Sequence, residues 1–386
     1  MRYYLIAGEA SGDLHGSNLM RGLYAGDPQA DIRFWGGPLM DAVYREHQDG
    51  DGFVQDYKSG AVMGFSQIIL HLGRYLGRLR SCMADIVAFR PDAVILIDYP
   101  GFNFRVAQAA HEQGFKVFYY IAPKVWASRE GRIRKLKKYV DKLFIVFPFE
   151  KAYFDRHGVS YIYAGNPLID AIDASPLVQQ PREAFLSANQ LEDKPFIGLL
   201  AGSRKGEVSL MMPVLAAFAD RLHAMPGYEN WQFILAGAPS RSLEDYAPFL
   251  AGRESYLKVI FGQTHAIVRH AEVVVVNSGT ASLEVCLIGT PQVVGYRLTP
   301  FNFNLAKWIM RARYISLGNL ILGRKAFKEL IQHALTPENL ETEVRRLVED
   351  PEYRSGMLAD YAEIREKLGG RGASSQVAES MIQLLK

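Results

Sequence analysis

The chain is predicted to fold as two doubly wound α/β units in tandem, on three observations. Short, nearly unbroken apolar runs recur, as parallel strands buried on both faces require. Helix-length segments separate them, and this alternation runs through the chain twice. The length, 386 residues, suits two full cores.

In order, Tyr3–Ala7 reads as the first strand, and a helix carrying Leu14, Leu19 and Leu23 follows its Gly8 turn. Asp31–Trp35, Ala93–Ile97, Lys116–Ile121 and Lys142–Phe147 are the next strands. A polar stretch between Ala174 and Lys194, with Pro176 and Pro181, marks the approach to the second unit. Its strands are expected at Phe196–Leu200, Gln232–Ala236, Lys258–Phe261, Val273–Val276 and Gln292–Gly295, with helices at Val208–Met225, Thr264–Ala271 and Ala281–Leu287. From the Thr336-Pro337 start signal onward the tail reads as helical. The expected division is 1–170, 171–345, and a terminal helical segment 346–386, whose packing on the first domain the sequence does not fix.

Composition narrows the class. Apolar residues make up 49% and charged ones 22%, a balance that excludes a disordered or collagen-like chain. Cys82 and Cys286 stand too far apart for a C-x-x-C pattern and read as small buried hydrophobes, which fits a reducing compartment. The N-terminal apolar run is too short for a secretory signal, and no apolar window is long enough to span a membrane. Residues 1–165 carry 21 Lys/Arg against 17 Asp/Glu, the remainder 23 against 24, so the basic excess lies in the first unit. Much of it is in Arg129–Lys142, a run that suits either a solvated helix face or an anionic partner.

Ligands of open α/β sheets sit beyond the carboxyl ends of the strands, so residues following strands are the candidates. Gly8-Glu9-Ala10-Ser11-Gly12-Asp13 is a glycine-bearing turn before a helix, but its own acids argue against simple phosphate binding; a plain turn with an acidic cap is the alternative. Asp98, at the top of a buried strand beside Pro100, is placed to act as a general base, or to make an Asx turn. Gly202-Ser203-Arg204, opening a helix, is the strongest anion site, where backbone N–H groups, the Ser203 hydroxyl and a guanidinium can hold a diphosphate. Ser278-Gly279-Thr280 opens a second such helix, and Glu284, a turn later, is placed to accept bonds from a pair of sugar hydroxyls. Val62–Arg80 joins Phe65, Ile68 and Ile69 to basic flanks, as a membrane-interface segment or a buried helix would. No H-E-x-x-H, Walker or G-x-S-x-G pattern occurs, so neither a zinc site nor a serine elbow is expected. Together these motifs suggest binding of a phosphorylated sugar nucleotide between two α/β domains.

Nine segments then appear in one order: AGEASGDLHG (7–16), MGF (63–65), LIDYPGFN (96–103), YYIAPKVWAS (119–128), VFPFEKAYF (146–154), YAGNPLID (163–170), LLAGSRKGEV (199–208), SGTASLEVCLIGTPQVVGYR (278–297) and YISLGNLILGRKAFKELIQ (314–332). With them the chain resembles the lipid-A-disaccharide synthase family over nearly its whole length. The resemblance implies a GT-B type glycosyltransferase, two Rossmann-like domains facing a cleft. It implies UDP-2,3-diacylglucosamine as donor and 2,3-diacylglucosamine 1-phosphate (lipid X) as acceptor, joined by an inverting displacement into a β-1,6-linked disaccharide 1-phosphate with loss of UDP.

On that resemblance Asp98 is the base, with Glu9 or Asp13 as rivals. Arg204 and the helix starts stabilise the leaving UDP without necessarily using a metal; no cofactor is expected, and an accessory divalent ion is left open. Gly202, Ser203, Ser278, Gly279, Thr280 and Glu284 serve the nucleotide and donor, with Arg297, Asn319 and Gln332 at matching positions. Ser11, Asp13, Met63, Phe65, Ile68 and Ile69 serve the acceptor or the membrane. Acylated substrates imply a cytoplasmic protein, peripheral on the inner membrane; nucleic acid is not an expected partner, and a homodimer is allowed. Gly101 stands where many members carry an acid, and Gly318 where a Pro is usual. A hydrolysing UDP-sugar epimerase or a transferase for a soluble or polyprenyl acceptor, and a non-catalytic nucleotide-sugar-binding protein, are the competing readings.

Overall fold

The computed structural model describes residues 1–57, 72–127, 130–299 and 313–386. It contains two compact units, Met1–Asp170 with Leu368–Lys386, and Ala171–Lys367. The expected tail segment 346–386 is therefore divided: Pro337–Glu349 and nearly all of Pro351–Leu368 stay with the second unit, and Ala373–Leu385 belongs to the first.

Among the described residues the first unit holds seven parallel strands, β1 (Arg2–Ala7), β2 (Asp31–Gly36), β3 (Phe53–Asp56), β4 (Ala93–Ile97), β5 (Lys116–Tyr120), β6 (Lys142–Ile145) and β7 (Tyr161–Tyr163), in the order β3-β2-β1-β4-β5-β6-β7. The second holds β8 (Phe196–Leu200), β9 (Gln232–Gly237), β10 (Leu257–Phe261), β11 (Val273–Asn277), β12 (Gln292–Tyr296) and β13 (Glu329–Ile331), in the order β10-β9-β8-β11-β12-β13. Both orders reverse once, between β1 and β4 and between β8 and β11, which makes each junction a topological switch point. Register brings the relevant turns level: Ala7 pairs with Ile97, and Leu200 with Val276.

Every strand expected from an apolar run is present. Central β4, β8 and β11 are buried at all five positions, as helix cover on both faces demands. The run expected to reach Phe147 stops at Ile145, because Phe147-Pro148 begins the helix Pro148–Arg156. Three strands, β3, β7 and β13, were not expected. They are three or four residues long, lie at sheet edges, and present half-buried faces without a continuous apolar signature.

The terminal helix Ala373–Leu385 lies along Ala10–Gly26 in the first unit. Two glycines one turn apart allow the approach: a Cβ on Gly22 would stand 2.8 Å from that of Ala378, and one on Gly26 would stand 2.7 Å from Ile382. Two hydrogen bonds pin the chain's return, from the Tyr163 hydroxyl to the Leu368 carbonyl (2.9 Å) and from the Gly372 N–H to the Asp170 carboxylate (2.7 Å).

Within the basic run, Ile133–Tyr139 is a helix whose Ile133, Leu136 and Tyr139 enter the core while Lys135, Lys137 and Lys138 stay in solvent. Met63, Phe65, Ile68 and Ile69, expected as acceptor or membrane contacts, lie outside the described residues. Of Val62–Arg80 only 72–80 are described, and they belong to the helix Leu72–Phe89.

Candidate functional site

The switch point of the first unit is lined by the turns after β1 and β4. Asp98 and Tyr99 both adopt left-handed backbone, with φ of 43° and 47°. Two consecutive non-glycine residues there cost about 1–3 kcal/mol each, so the surroundings must hold them. They do so through the Asp98 carbonyl, which accepts from the Tyr119 hydroxyl (2.7 Å) and from the amide of fully buried Asn103 (2.8 Å). The strained turn thus locks the Asp98 main chain beyond the end of β4. Burial pushes the Asp98 carboxyl up to about 6; Lys124 opposes the shift, Glu9 adds to it, and a bond from the Tyr99 N–H opposes it. A carboxylate in that range suits proton abstraction near neutral pH.

Glu9 and Ser11 are exposed on the neighbouring turn. The Tyr99 ring lies against Gly8, where a Cβ would come within 2.2 Å of it, so this glycine is needed for close approach. Asp13, expected as an acceptor contact or rival base, is put to another use. It is 1% exposed, and its oxygens accept the N–H groups of Gly37 (2.9 Å), Met40 (3.0 Å) and Leu39 (3.1 Å). It therefore holds the start of the helix Pro38–His47 from a distant part of the chain.

Sequence reasoning missed Lys124 and Glu150. Glu150 is 1% exposed and accepts the N–H groups of Val146 (3.2 Å) and Phe147 (3.0 Å) and the indole N–H of Trp126 (3.1 Å). Burial raises its carboxyl to about 7, against those bonds and the field of Lys124. Exposed Lys124 thus acts on both perturbed acids. A third-position acid after Phe147-Pro148 was the sequence signal for Glu150; Lys124 had none beyond its motif.

At the switch point of the second unit two helix starts stand side by side, and they differ. At the helix Lys205–His223, the N–H groups of Ser203 (3.0 Å) and Arg204 (3.2 Å) already donate to Glu207. The chain's own carboxylate occupies two donors expected to be open to a ligand. The Arg204 guanidinium, 76% exposed, is 3.6 Å from Glu207 and projects into solvent. Gly202 has φ of 105°, and a Cβ there would meet Glu207 and Asn277 within 2.8 Å. At the helix Thr280–Ile288, no side chain caps the start. Gly279 is the cap residue, and the Ser278 hydroxyl donates to the Ile315 carbonyl (3.2 Å). Exposed Thr280 opens that helix. Glu284 is half-buried, with His265 Nε2 at 3.5 Å and His265 Nδ1 at 3.0 Å from the Ser175 hydroxyl. His265 had no sequence signal.

The three remaining positions are largely committed to structure. Asn319 is fully buried; its amide donates to the Phe327 carbonyl (3.1 Å) and Glu329 (2.9 Å), and its oxygen accepts the Ala326 N–H (2.7 Å). Glu329 also holds the N–H groups of Ile315 and Ser316 and the Ser316 hydroxyl. Gln332 pairs both ways with the Leu298 backbone, at 2.7 and 3.1 Å, and Arg297 donates to the Leu335 carbonyl (3.0 Å). These bonds hold Asn319 and Gln332 in the loops about the site, whereas Arg297 commits one of its five guanidinium N–H groups. Among the described residues no cluster of His, Cys, Asp and Glu could hold a metal ion, and no helix is long and apolar enough to cross a membrane.

Paired doubly wound sheets with their candidate residues at both switch points define a GT-B type α/β architecture, and solved structures share it. Neisseria meningitidis UDP-GlcNAc 2-epimerase bound to UDP-GlcNAc superposes with a TM-score of 0.65 at 15% identity, covering 99% of this chain and 100% of that one. The S. aureus MnaA–UDP co-structure gives 0.70 at 14% identity, covering 100% and 96%. At such identity the likeness is one of fold.

Sequence relationships are closer. The family model of lipid-A-disaccharide synthetase matches residues 3–381. Lipid-A-disaccharide synthases of Trichlorobacter lovleyi and Geobacter metallireducens are 34% and 36% identical, each over 100% of this chain and 98% and 97% of their own. That of Pseudomonas putida is 35% identical over 99% of this chain and 98% of its own. The chain belongs to the lipid-A-disaccharide synthase family, and it is a glycosyltransferase.

Proposed function

We propose that the second unit holds UDP-2,3-diacylglucosamine and the first holds 2,3-diacylglucosamine 1-phosphate. Asp98 takes the proton from the acceptor 6-hydroxyl as that oxygen attacks the donor anomeric carbon. The bond to UDP breaks, the anomeric centre inverts, and the β-1,6-linked disaccharide 1-phosphate forms. The observation that carries this reading is the Asp98 carboxyl, held beyond the end of β4 on a strained turn and pushed up to about 6 by burial.

In the second unit, the Arg204 guanidinium and the uncapped start of Thr280–Ile288 supply positive potential for the departing diphosphate. Glu284, oriented by His265, accepts from ribose or donor-sugar hydroxyls. Both substrates are acylated, so the protein works at a membrane surface, as a peripheral protein of the inner membrane's cytoplasmic face. The exposed bases of Ile133–Tyr139 supply part of the attraction to anionic lipid.

The test supplies purified protein with UDP-2,3-diacylglucosamine and lipid X in detergent without added metal, and identifies products by mass spectrometry. Disaccharide 1-phosphate with equimolar UDP is expected. UDP release without disaccharide would show a hydrolase or another acceptor, and binding of UDP with no turnover would show a different donor or a binding role.

A further inference from the structure

Arg78 is an unmatched cation in the first unit. It lies on the helix Leu72–Phe89, half-buried, and its Nε is sealed from solvent with no acceptor. Among the described residues no carboxylate pairs with it. The acid seven residues along the same helix, Asp85, is taken by Arg33 at 2.7 Å and by the Tyr4 hydroxyl at 2.6 Å. Arg78 rests instead over the Trp35 ring, 5.4 Å from its centroid. A cation–π contact of this kind offsets only part of the cost of desolvating a guanidinium, and among the described residues Nε has no acceptor.

The surroundings link this cation to Tyr99, the residue after the proposed base. Trp35 stacks on Phe102 at 5.5 Å, and Phe102 also meets Tyr75 at 5.9 Å and Tyr99 at 5.8 Å. Tyr99 follows Asp98 directly and feels both Arg78 and Glu9 at its hydroxyl. Arg105, exposed on the helix Pro100–Glu112, acts on the Tyr75 hydroxyl from the other side. An aromatic wall, two cations and a carboxylate therefore share one end of the sheet. A sugar with an anionic group at one end and a reacting hydroxyl at the other matches that arrangement.

We infer that Arg78, set on the Trp35–Phe102 wall, binds the 1-phosphate of the acceptor sugar and so turns the opposite end of the ring toward Asp98. The inference rests on the acceptor assigned above. Arg78 selects the acceptor by a charge-assisted, forked bond to phosphate oxygens and takes no part in proton transfer. A phosphate of the bilayer headgroups offers the same chemistry, so the test separates the two sources.

The test compares lipid X with its dephosphorylated counterpart, 2,3-diacylglucosamine, by calorimetric binding in detergent without donor. Wild type is expected to prefer lipid X at least tenfold. Arg78→Gln should lose most of that preference while keeping wild-type affinity for UDP, and Arg78→Lys should retain an intermediate preference, since it keeps charge without the fork. In turnover, Arg78→Gln should raise the KM for lipid X with little change in kcat at saturation. Because the preference is a ratio within one variant, partial loss of folded protein does not mimic it.

Equal binding of the two ligands by wild type, or an unchanged preference in Arg78→Gln, overturns the inference. Sedimentation with phosphatidylglycerol vesicles supplies the other arm. If Arg78→Gln loses vesicle binding yet keeps the preference, the anion at Arg78 belongs to the bilayer and the inference falls. If wild type prefers lipid X through Arg78 but makes no disaccharide, the proposed function fails and this subsite stands.

Discussion

The two switch points share a pattern of strand order, yet they carry different chemistry. Beyond β1 and β4 stand carboxylates, Glu9 and Asp98, with a helix start held by a distant acid, Asp13. Beyond β8 and β11 stand an exposed guanidinium and a helix start that no side chain caps. Topology therefore decides where a ligand sits, and the few residues after each strand decide what it can be. On the function proposed above, the base stands at the first crevice and the leaving diphosphate at the second.

Breaking the first crevice should have the largest effect. Asp98→Asn removes the proton acceptor while keeping the shape, and a fall of about 10²–10⁴ in kcat with UDP affinity nearly intact is expected from steady-state kinetics and UDP titration. Retained turnover would transfer the role to Glu9. Arg204→Ala breaks the second crevice, with an expected loss of about 2–4 kcal/mol of transition-state stabilisation, read from kcat. A loss below about tenfold would remove Arg204 from charge stabilisation, since an interaction of that strength costs more.

A pH profile sharpens the contrast. Below its raised value of about 6 Asp98 is protonated and cannot accept a proton. Thus kcat/KM should fall as pH drops through about 6 and level off above it, whereas an ordinary carboxylate would place the fall near 4. A profile flat from 7 down to 5 would contradict an Asp98 base.

The smallest expected effect is at Glu207, the internal carboxylate on the Ser203 and Arg204 N–H groups. Glu207→Gln should cost about 1 kcal/mol of stability as a weakened cap, measured by denaturant unfolding. By removing a negative charge beside the diphosphate it should also tighten UDP binding, by less than tenfold. Weaker UDP binding would show that Glu207 orients the loop for the ligand.

Much of this was legible without coordinates. A strand buried on both faces must be apolar throughout, so β1, β4, β8 and β11 announced themselves as runs, and glycine or proline after each marked the turns. Edge strands lack that signature, and β3, β7 and β13 escaped notice. Asp98, Arg204 and Glu284 were legible as polar residues just beyond buried strands or one turn into the following helix. Which neighbours act on them was not: Lys124 reaches Asp98 across 26 positions of sequence, and His265 reaches Glu284 across 19.

The sequence by itself determined the class of fold, the strands that carry the two sites, and the family, because periodicity and ordered motifs are local in the chain. Only the tertiary structure decided which polar residues remain available for chemistry. Asp13, Glu207, Asn319 and Gln332 have the same side chains as ligand-binding residues, but the folded chain brings backbone donors and acceptors to them, and a buried backbone group must be satisfied by whatever lies within reach. Arg78 is the converse. Its sequence reads as part of a basic flank, and only the packing of Trp35 beneath it and the pairing of Asp85 elsewhere leave its charge for a ligand.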